Sequence, residues 1–418
     1  MHTFTTSTGK RLWYDVNTNR IGLWRNDSIS PQTCPSTYFI SPTDFSANKI
    51  SMFTIELTQQ CNLRCTYCCY SGDYYDRRKH NSKSISFDVL DKSIQFIIES
   101  ANKHSEEITV CFYGGEALLA KEQMQWAIDK LLSALHERIT FSLSTNGLLL
   151  SPSTLKWICS YDKFMINVTI DGDERMHDAH RLTLTHKGSY SKIIDNLSWF
   201  LNAYPEEFKK RVRILSTAYS WQDVAKMSKV WDENVVLKNT LPVHISQIIP
   251  NFSDSSRIYD TWDIKDKFYS EAFEDIKKGK NTIMSSCFRR LVDIASHRTY
   301  YSLSPELTIK TCLQDLYSCF INVNGDLYAC EKFCESYKLG NVYTGYDSKA
   351  IKNLLDSFTR RKNKYCRSCW AQRLCRMCLV GLNHDDKDMS HLCSMERDTI
   401  DLSLKYFCEY QDWLNKKQ

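Results

Sequence analysis

The chain has 418 residues, 42% apolar and 25% charged, an ordinary globular composition long enough for two or three domains. Its net charge of +5 gives no reason to invoke nucleic acid or a membrane surface. No apolar run reaches the roughly 20 residues of a membrane helix, and Met1–Thr5 opens no export signal, so a cytoplasmic protein is expected, in which 18 cysteines imply metal rather than disulfides.

Residues 1–49 read as a β-rich cap, with a hairpin of Arg11–Val16 and Arg20–Trp24 about the turn-like Asn17-Thr18-Asn19. From residue 50 to 250, apolar runs alternate with amphipathic stretches. The runs are Met52–Leu57, Ile108–Tyr113, Ile139–Ser144, Phe164–Ile170, Val212–Thr217 and Val243–Ile249. Helices are predicted at Ser86–Ser100, Lys121–Leu135 and Ser191–Asn202, where apolar residues recur at three- and four-residue steps. This alternation predicts an α/β fold with a parallel sheet, in which function gathers at the C-terminal ends of the strands. Residues 251–310 read as a connector with a helix over Asp266–Lys278. Residues 311–418 read as a cysteine-rich segment that ends in a helix over Leu404–Trp413. Cys34, Cys69, Cys287 and Cys408 are given no metal role.

Cys61-Asn62-Leu63-Arg64-Cys65-Thr66-Tyr67-Cys68 follows the first run and presents three thiols at x3 and x2 spacing. Thiolates are the usual ligands of iron–sulfur clusters. Three nearby cysteines also suit half a zinc site or a protein core. On a four-iron cluster, three thiolates leave one iron open to a small molecule. The stretch resembles the signature of the radical S-adenosylmethionine (SAM) family, C-x3-C-x2-C with an aromatic residue, here Tyr67, before the last cysteine. The resemblance implies a partial (β/α)6 TIM-like barrel, a [4Fe-4S] cluster on Cys61, Cys65 and Cys68, and SAM on the open iron. In that family one electron cleaves SAM to a 5′-deoxyadenosyl radical, which takes a hydrogen atom from the substrate.

Later strand ends carry further candidates. Tyr113-Gly114-Gly115-Glu116 is a plain turn or, since it resembles the family's Gly-Gly-Glu motif, the segment that bonds the SAM amino group. Ser144-Thr145-Asn146-Gly147 is an Asn-Gly turn or, by the same resemblance, places Ser144 and Asn146 in the SAM site. Thr169-Ile170-Asp171-Gly172, with His177-Asp178 and Arg181, resembles the S-I/L-D-G-x4-H-D-x2-R segment of the branch that modifies peptides and proteins, Thr169 replacing the usual Ser. Asp171 would then face the barrel mouth. The Arg181 fork would meet a carboxylate such as that of SAM, or pair with Asp178 or another nearby acid.

Cys312-x12-Gly325-x4-Cys330, then Cys366-x2-Cys369-x5-Cys375-x2-Cys378 and Cys393, suit zinc or iron. They resemble the SPASM domain of peptide and protein maturases, whose quartet mostly ends in x3 where this one has x2. The resemblance implies two auxiliary [4Fe-4S] clusters. One would use Cys312, Cys319, Cys330 and Cys378, with Cys334 competing for the place of Cys319. The other would use Cys366, Cys369, Cys375 and Cys393. The implied cofactors are thus three [4Fe-4S] clusters and SAM; the implied partners are a precursor peptide and an electron donor such as flavodoxin or ferredoxin.

The function this implies is a radical SAM/SPASM peptide maturase that forms a crosslink or an oxidised residue. Rival readings are a side-chain oxidase of the anaerobic sulfatase-maturing type, a small-molecule dehydrogenase with the same clusters, and a non-catalytic zinc-binding adaptor. No residue is set apart as a general base, and the N-terminal segment is short for a leader-binding winged helix.

Overall fold

The computed structural model describes residues 1–24, 38–42, 45–72, 77–247, 260–299, 306–309, 311–313, 316–333, 335–379 and 386–417. Cys34, Cys334, the end of the sixth expected strand at 248–249 and the stretch 250–259 lie outside them.

The chain begins with β1 (His2–Thr5), β2 (Arg11–Asp15), β3 (Arg20–Leu23) and β4 (Tyr38–Ile40). There follow β5 (Met52–Thr58), β6 (Leu63–Cys65), α1 (Phe87–Ala101), β7 (Ile108–Gly114), α2 (Lys121–Leu135), β8 (Ile139–Thr145), α3 (Pro152–Cys159) and β9 (Phe164–Thr169). Next come α4 (Glu174–Asp178), β10 (Arg181–Thr183), α5 (Tyr190–Ala203), α6 (Pro205–Arg211), β11 (Val212–Ala218), α7 (Trp221–Glu233) and β12 (Leu241–Gln247). The last part holds α8 (Trp262–Lys277), α9 (Ile283–Ser296), β13 (Glu306–Thr308), β14 (Ser318–Ile321), β15 (Asp326–Tyr328), β16 (Gly340–Asn341), β17 (Gly345–Tyr346), α10 (Ser348–Tyr365) and α11 (Asp386–Lys417). Two compact units result: Asp44–Asp254 with Cys312–Lys352, and Met1–Thr43 with Ser255–Thr311 and Asn353–Gln418.

The larger unit is built on a sheet in the order β12-β11-β9-β8-β7-β5-β14-β15-β16-β17. The strands from β12 to β5 are all parallel, as a chain that inserts a helix between successive strands requires. Strand alternation separates two faces. Phe53, Ile55, Phe112, Leu143, Ile166 and Ile214 point to one side and are fully buried. Glu56, Tyr113, Ser142, Ser144, Asn167 and Thr169 lie on the other, the polar inner face of the partial barrel. β14 joins β5 in parallel, Phe320 opposite Thr54, and β15–β17 continue the sheet antiparallel.

In the smaller unit β1–β3 form an antiparallel sheet. The expected hairpin is its β2–β3 part, where Asn19 takes a φ of 62°, a conformation asparagine tolerates. Phe4, Leu12, Tyr14 and Val16 pack with Ala295, Leu374, Ile400 and Leu404 in one core. Among the described residues no helix is long and apolar enough to cross a membrane.

Candidate active site

The three cysteines lie just past the C-terminal end of β5. Cys65 ends β6, and the Cys68 N–H donates to the Cys65 carbonyl at 3.1 Å, which closes a turn. β6 pairs antiparallel with β10, so that Cys65 stands opposite Arg181. The thiols are half-buried and within electrostatic reach of one another. Burial raises all three pKa values, that of Cys68 to about 12, and Arg181 pulls Cys61 and Cys65 back. The Leu63 N–H points at Cys61 Sγ from 3.4 Å, and His80 Nε2 lies 3.5 Å from Cys68 Sγ. Among the described residues no three His, Cys, Asp or Glu side chains converge as a metal-ion site. Three thiols on one turn, faced by N–H donors and a guanidinium, suit a cluster that takes one thiolate per iron.

The Tyr67 hydroxyl sits between Asp171 and Arg181. It donates to Asp171 Oδ2 and accepts from Arg181 Nη1 at 2.7 Å. Asp171 Oδ1 accepts the Thr217 N–H at 2.8 Å. Burial raises the Asp171 carboxyl, while Arg181 and these hydrogen bonds oppose the rise. Arg181 therefore answers Asp171 through Tyr67. Asp178 is occupied elsewhere: its Oδ1 accepts the N–H groups of Ser189 (2.8 Å) and Tyr190 (3.0 Å) at the start of α5. His177 Nδ1 accepts the Asp171 N–H at 3.2 Å, and its Nε2 lies 3.0 Å from Ser189 Oγ.

Gly114 and Gly115 press the end of β7 against the cysteine loop. A Cβ on Gly115 would stand 2.1 Å from the Gln60 carbonyl and 3.0 Å from Cys61 Cβ. The N–H groups of Gly115 and Glu116 donate to Thr58 and Gln60, each at 2.8 Å. Buried Glu116 accepts from Thr145 Oγ1 and the Asn146 N–H, both at 2.8 Å, and from the Leu118 N–H at 3.1 Å. Asn146 Nδ2 donates to Asn62 Oδ1 at 2.7 Å. The side chains of Glu116 and Asn146 thus tie the ends of β7 and β8 to the cysteine loop. Ser144 is half-buried on the inner face, opposite Asn167.

In the smaller unit Cys366, Cys369, Cys375 and Cys393 lie within mutual electrostatic reach. Burial pushes Cys366 up to about 12; buried Lys362 opposes this, and the other three thiols add to it. The Cys369 N–H donates to the Cys366 carbonyl at 3.1 Å, the same turn as at Cys65 and Cys68. Cys312 and Cys330 belong to the larger unit and exposed Cys378 to the smaller. Cys319 has surroundings unlike those expected of a ligand. On β14 it alternates with Phe320, whose ring meets Tyr113 of the inner face. Cys319 therefore points to the opposite side, where burial pushes its thiol to about 12 and the Tyr346 side chain lies beside it.

Sequence reasoning missed other polar groups here. Thr66 Oγ1 lies 2.9 Å from His180 Nδ1 and 3.0 Å from the Tyr219 hydroxyl. Glu56 of β5 pairs with Arg78, two residues ahead of His80. Glu56, an acid inside an apolar run, was the one visible signal.

A parallel α/β sheet with a three-thiol loop at the C-terminal end of its first parallel strand, held against a buried arginine, is the arrangement expected of the radical SAM class. Residues 55–227 match the family model described as the radical SAM superfamily, so the chain contains a radical SAM domain, of a class that uses SAM and a [4Fe-4S] cluster. The chain is similar to the cysteine-type anaerobic sulfatase-maturating enzyme of Clostridium novyi (strain NT), 24% identical over 342 residues, 78% of this chain and 87% of that one. A namesake from Clostridium perfringens (strain ATCC 13124) is 24% identical over 381 residues, 86% of this chain and 94% of its own. The fold is that of native anSMEcpe with bound AdoMet, with a TM-score of 0.65 at 19% identity over 86% of this chain and 99% of that one. Streptococcus suis SuiB bound to S-adenosylmethionine gives a TM-score of 0.52 at 16% identity over 81% and 73%.

Proposed function

We propose that this enzyme is a peptide maturase that removes a hydrogen atom from a precursor peptide and leaves a crosslink or an oxidised residue. The observation that carries this reading is the Cys61–Cys68 turn beside the polar inner face, braced by β10 and Arg181. Cys61, Cys65 and Cys68 would hold a cluster and leave one iron for SAM. Cys366, Cys369, Cys375 and Cys393 would hold a second, and Cys312 and Cys330 would contribute to a third. When bound, these groups supply the electron transfer and the radical chemistry. The chain's own part is positional: Asp171, Tyr67 and Arg181 lock the turn, Gly114 and Gly115 admit its close approach, and Ser144 faces the space where SAM would lie. A flavodoxin or ferredoxin would deliver the electron.

A peptide substrate is supported by anSMEcpe, solved with AdoMet and the Cp18Cys peptide, whose fold this chain shares. The relatives matched over most of their length carry the name of cysteine-type sulfatase-maturating enzymes, which favours a second reading, oxidation of a cysteine in a protein substrate. The test is anaerobic reconstitution followed by reductant and SAM. Release of 5′-deoxyadenosine is expected; protein that carries zinc without sulfide and releases none would falsify the reading.

A further inference from the structure

Beside the cysteine turn lies a cavity of ≈ 30 Å³ that none of the roles above uses. Glu56, Tyr70, Arg78, Phe320, Asn322 and Glu331 contribute to its walls, all within the larger unit. Arg78 is only 9% exposed. Its Nε pairs with the carboxylate of buried Glu56, whose Oε2 also accepts from Gln59 Nε2 at 2.9 Å and the Val323 N–H at 3.3 Å. The guanidinium carbon stands 3.5 Å from the centre of the Tyr70 ring. Arg78 is thus held on two sides, yet its Nη1 and Nη2 have no hydrogen-bond partner among the described residues. Buried donors left unsatisfied are costly and rare. The fork is built for an acceptor that these residues do not supply.

The chemistry of that acceptor follows from shape and charge. Two N–H groups in one plane match the two oxygens of a carboxylate. The cavity has room for about two water-sized groups, which is the span of a carboxylate. Arg77, Glu331 and Glu335 line it as well, so that two guanidinium groups face three carboxylates counting Glu56, a balance that disfavours a dianion such as a phosphoester more than a monoanion. Position gives the source. Tyr70 follows Cys68 by two residues, and Phe320 and Glu56 belong to the inner face. A group seated here is anchored next to the turn at which the reaction begins. We propose that Arg78 is a specificity-determining residue that receives a carboxylate of the peptide substrate, from an Asp or Glu side chain or from the C-terminus. This rests on the maturase reading for the identity of the ligand.

The test is calorimetric titration of the full-length, reconstituted protein with three probes: acetyl-Gly-Asp-Gly-amide, its Asn counterpart, and acetyl-Gly-Gly-Gly with a free carboxylate. At least one carboxylate probe should bind about tenfold or more tightly than the Asn probe, the effect of a charged hydrogen bond, and which one does so names the source. Arg78→Lys keeps a cation beside Glu56 but lacks the fork. Glu56→Gln combined with Arg78→Met removes both buried charges together and stands in where the single variant unfolds. The preference should fall to near parity in both. Equal binding of all three probes by the native protein, or a preference that survives in both variants, overturns the proposal. These titrations need no SAM cleavage. A preference without 5′-deoxyadenosine release sinks the maturase reading and leaves the carboxylate site standing; equal binding by an enzyme that does release it sinks only the site.

Discussion

His177 has both ring nitrogens engaged, by the Asp171 N–H and by Ser189 Oγ. Burial lowers its pKa to about 2, whereas an imidazole in the unfolded chain titrates near 6.5. As pH falls through about 6.5, the unfolded chain gains a proton that the folded one refuses, so stability drops on the acid side by up to roughly 1.4 kcal/mol per pH unit. Above that pH the contribution is fully present. His177→Asn keeps an acceptor for the Asp171 N–H and removes the titration. Urea midpoints of both proteins between about pH 5 and 7 should show a shallower slope for the variant; parallel slopes would remove His177 as the cause. At this scale the sequence was partly legible. The spacing of Asp171, His177, Asp178 and Arg181 marked a cluster, but not the pairings within it. Tyr67, the hydroxyl between Asp171 and Arg181, comes 104 residues before Asp171, and local spacing holds no trace of that meeting.

The six parallel strands stood out because an apolar run on one face alternates with helical periodicity elsewhere. Where boundaries moved, the reason is physical. The sixth strand was expected to start at Val243, after Pro242, yet β12 starts at Leu241. It is an edge strand, where a proline without an N–H is tolerated. The closing helix was expected over Leu404–Trp413, but α11 spans 32 residues and packs on α8 and α9; its first half shows no clear apolar period by which the sequence could mark it. β14 was invisible as a partner of β5, since its pairing spans more than 250 residues. The approach of β7 to the cysteine loop yields a prediction. In Gly115→Ala the new methyl group must displace the Gln60–Cys61 backbone, at about 1–3 kcal/mol for an overpacked site. The variant should melt earlier and retain less iron and sulfide per chain after reconstitution. Native values for both would show that the loop yields freely.

Read in chain order, the sequence suggested four consecutive blocks; the molecule instead interleaves two units, each assembled from distant segments. Removing residues 1–24 takes Phe4, Leu12, Tyr14 and Val16 from the core of the smaller unit. A buried side chain of this kind contributes about 1.5–3 kcal/mol, so four together rival the whole stability of a domain, about 5–15 kcal/mol. The truncated protein should show rapid proteolysis within α11 and lose the cluster expected on Cys366, Cys369, Cys375 and Cys393. An unchanged digestion pattern and iron content would count against it.

The two ends of the chain are fastened together: Lys10 pairs with Asp412 at 2.5 Å, and the Ser7 N–H donates to Glu409 at 2.6 Å. The β1–β2 connection and α11 are thus partners across some 402 residues of chain. The smaller unit, and the frame it gives its four thiols, closes only when both of these segments are in place.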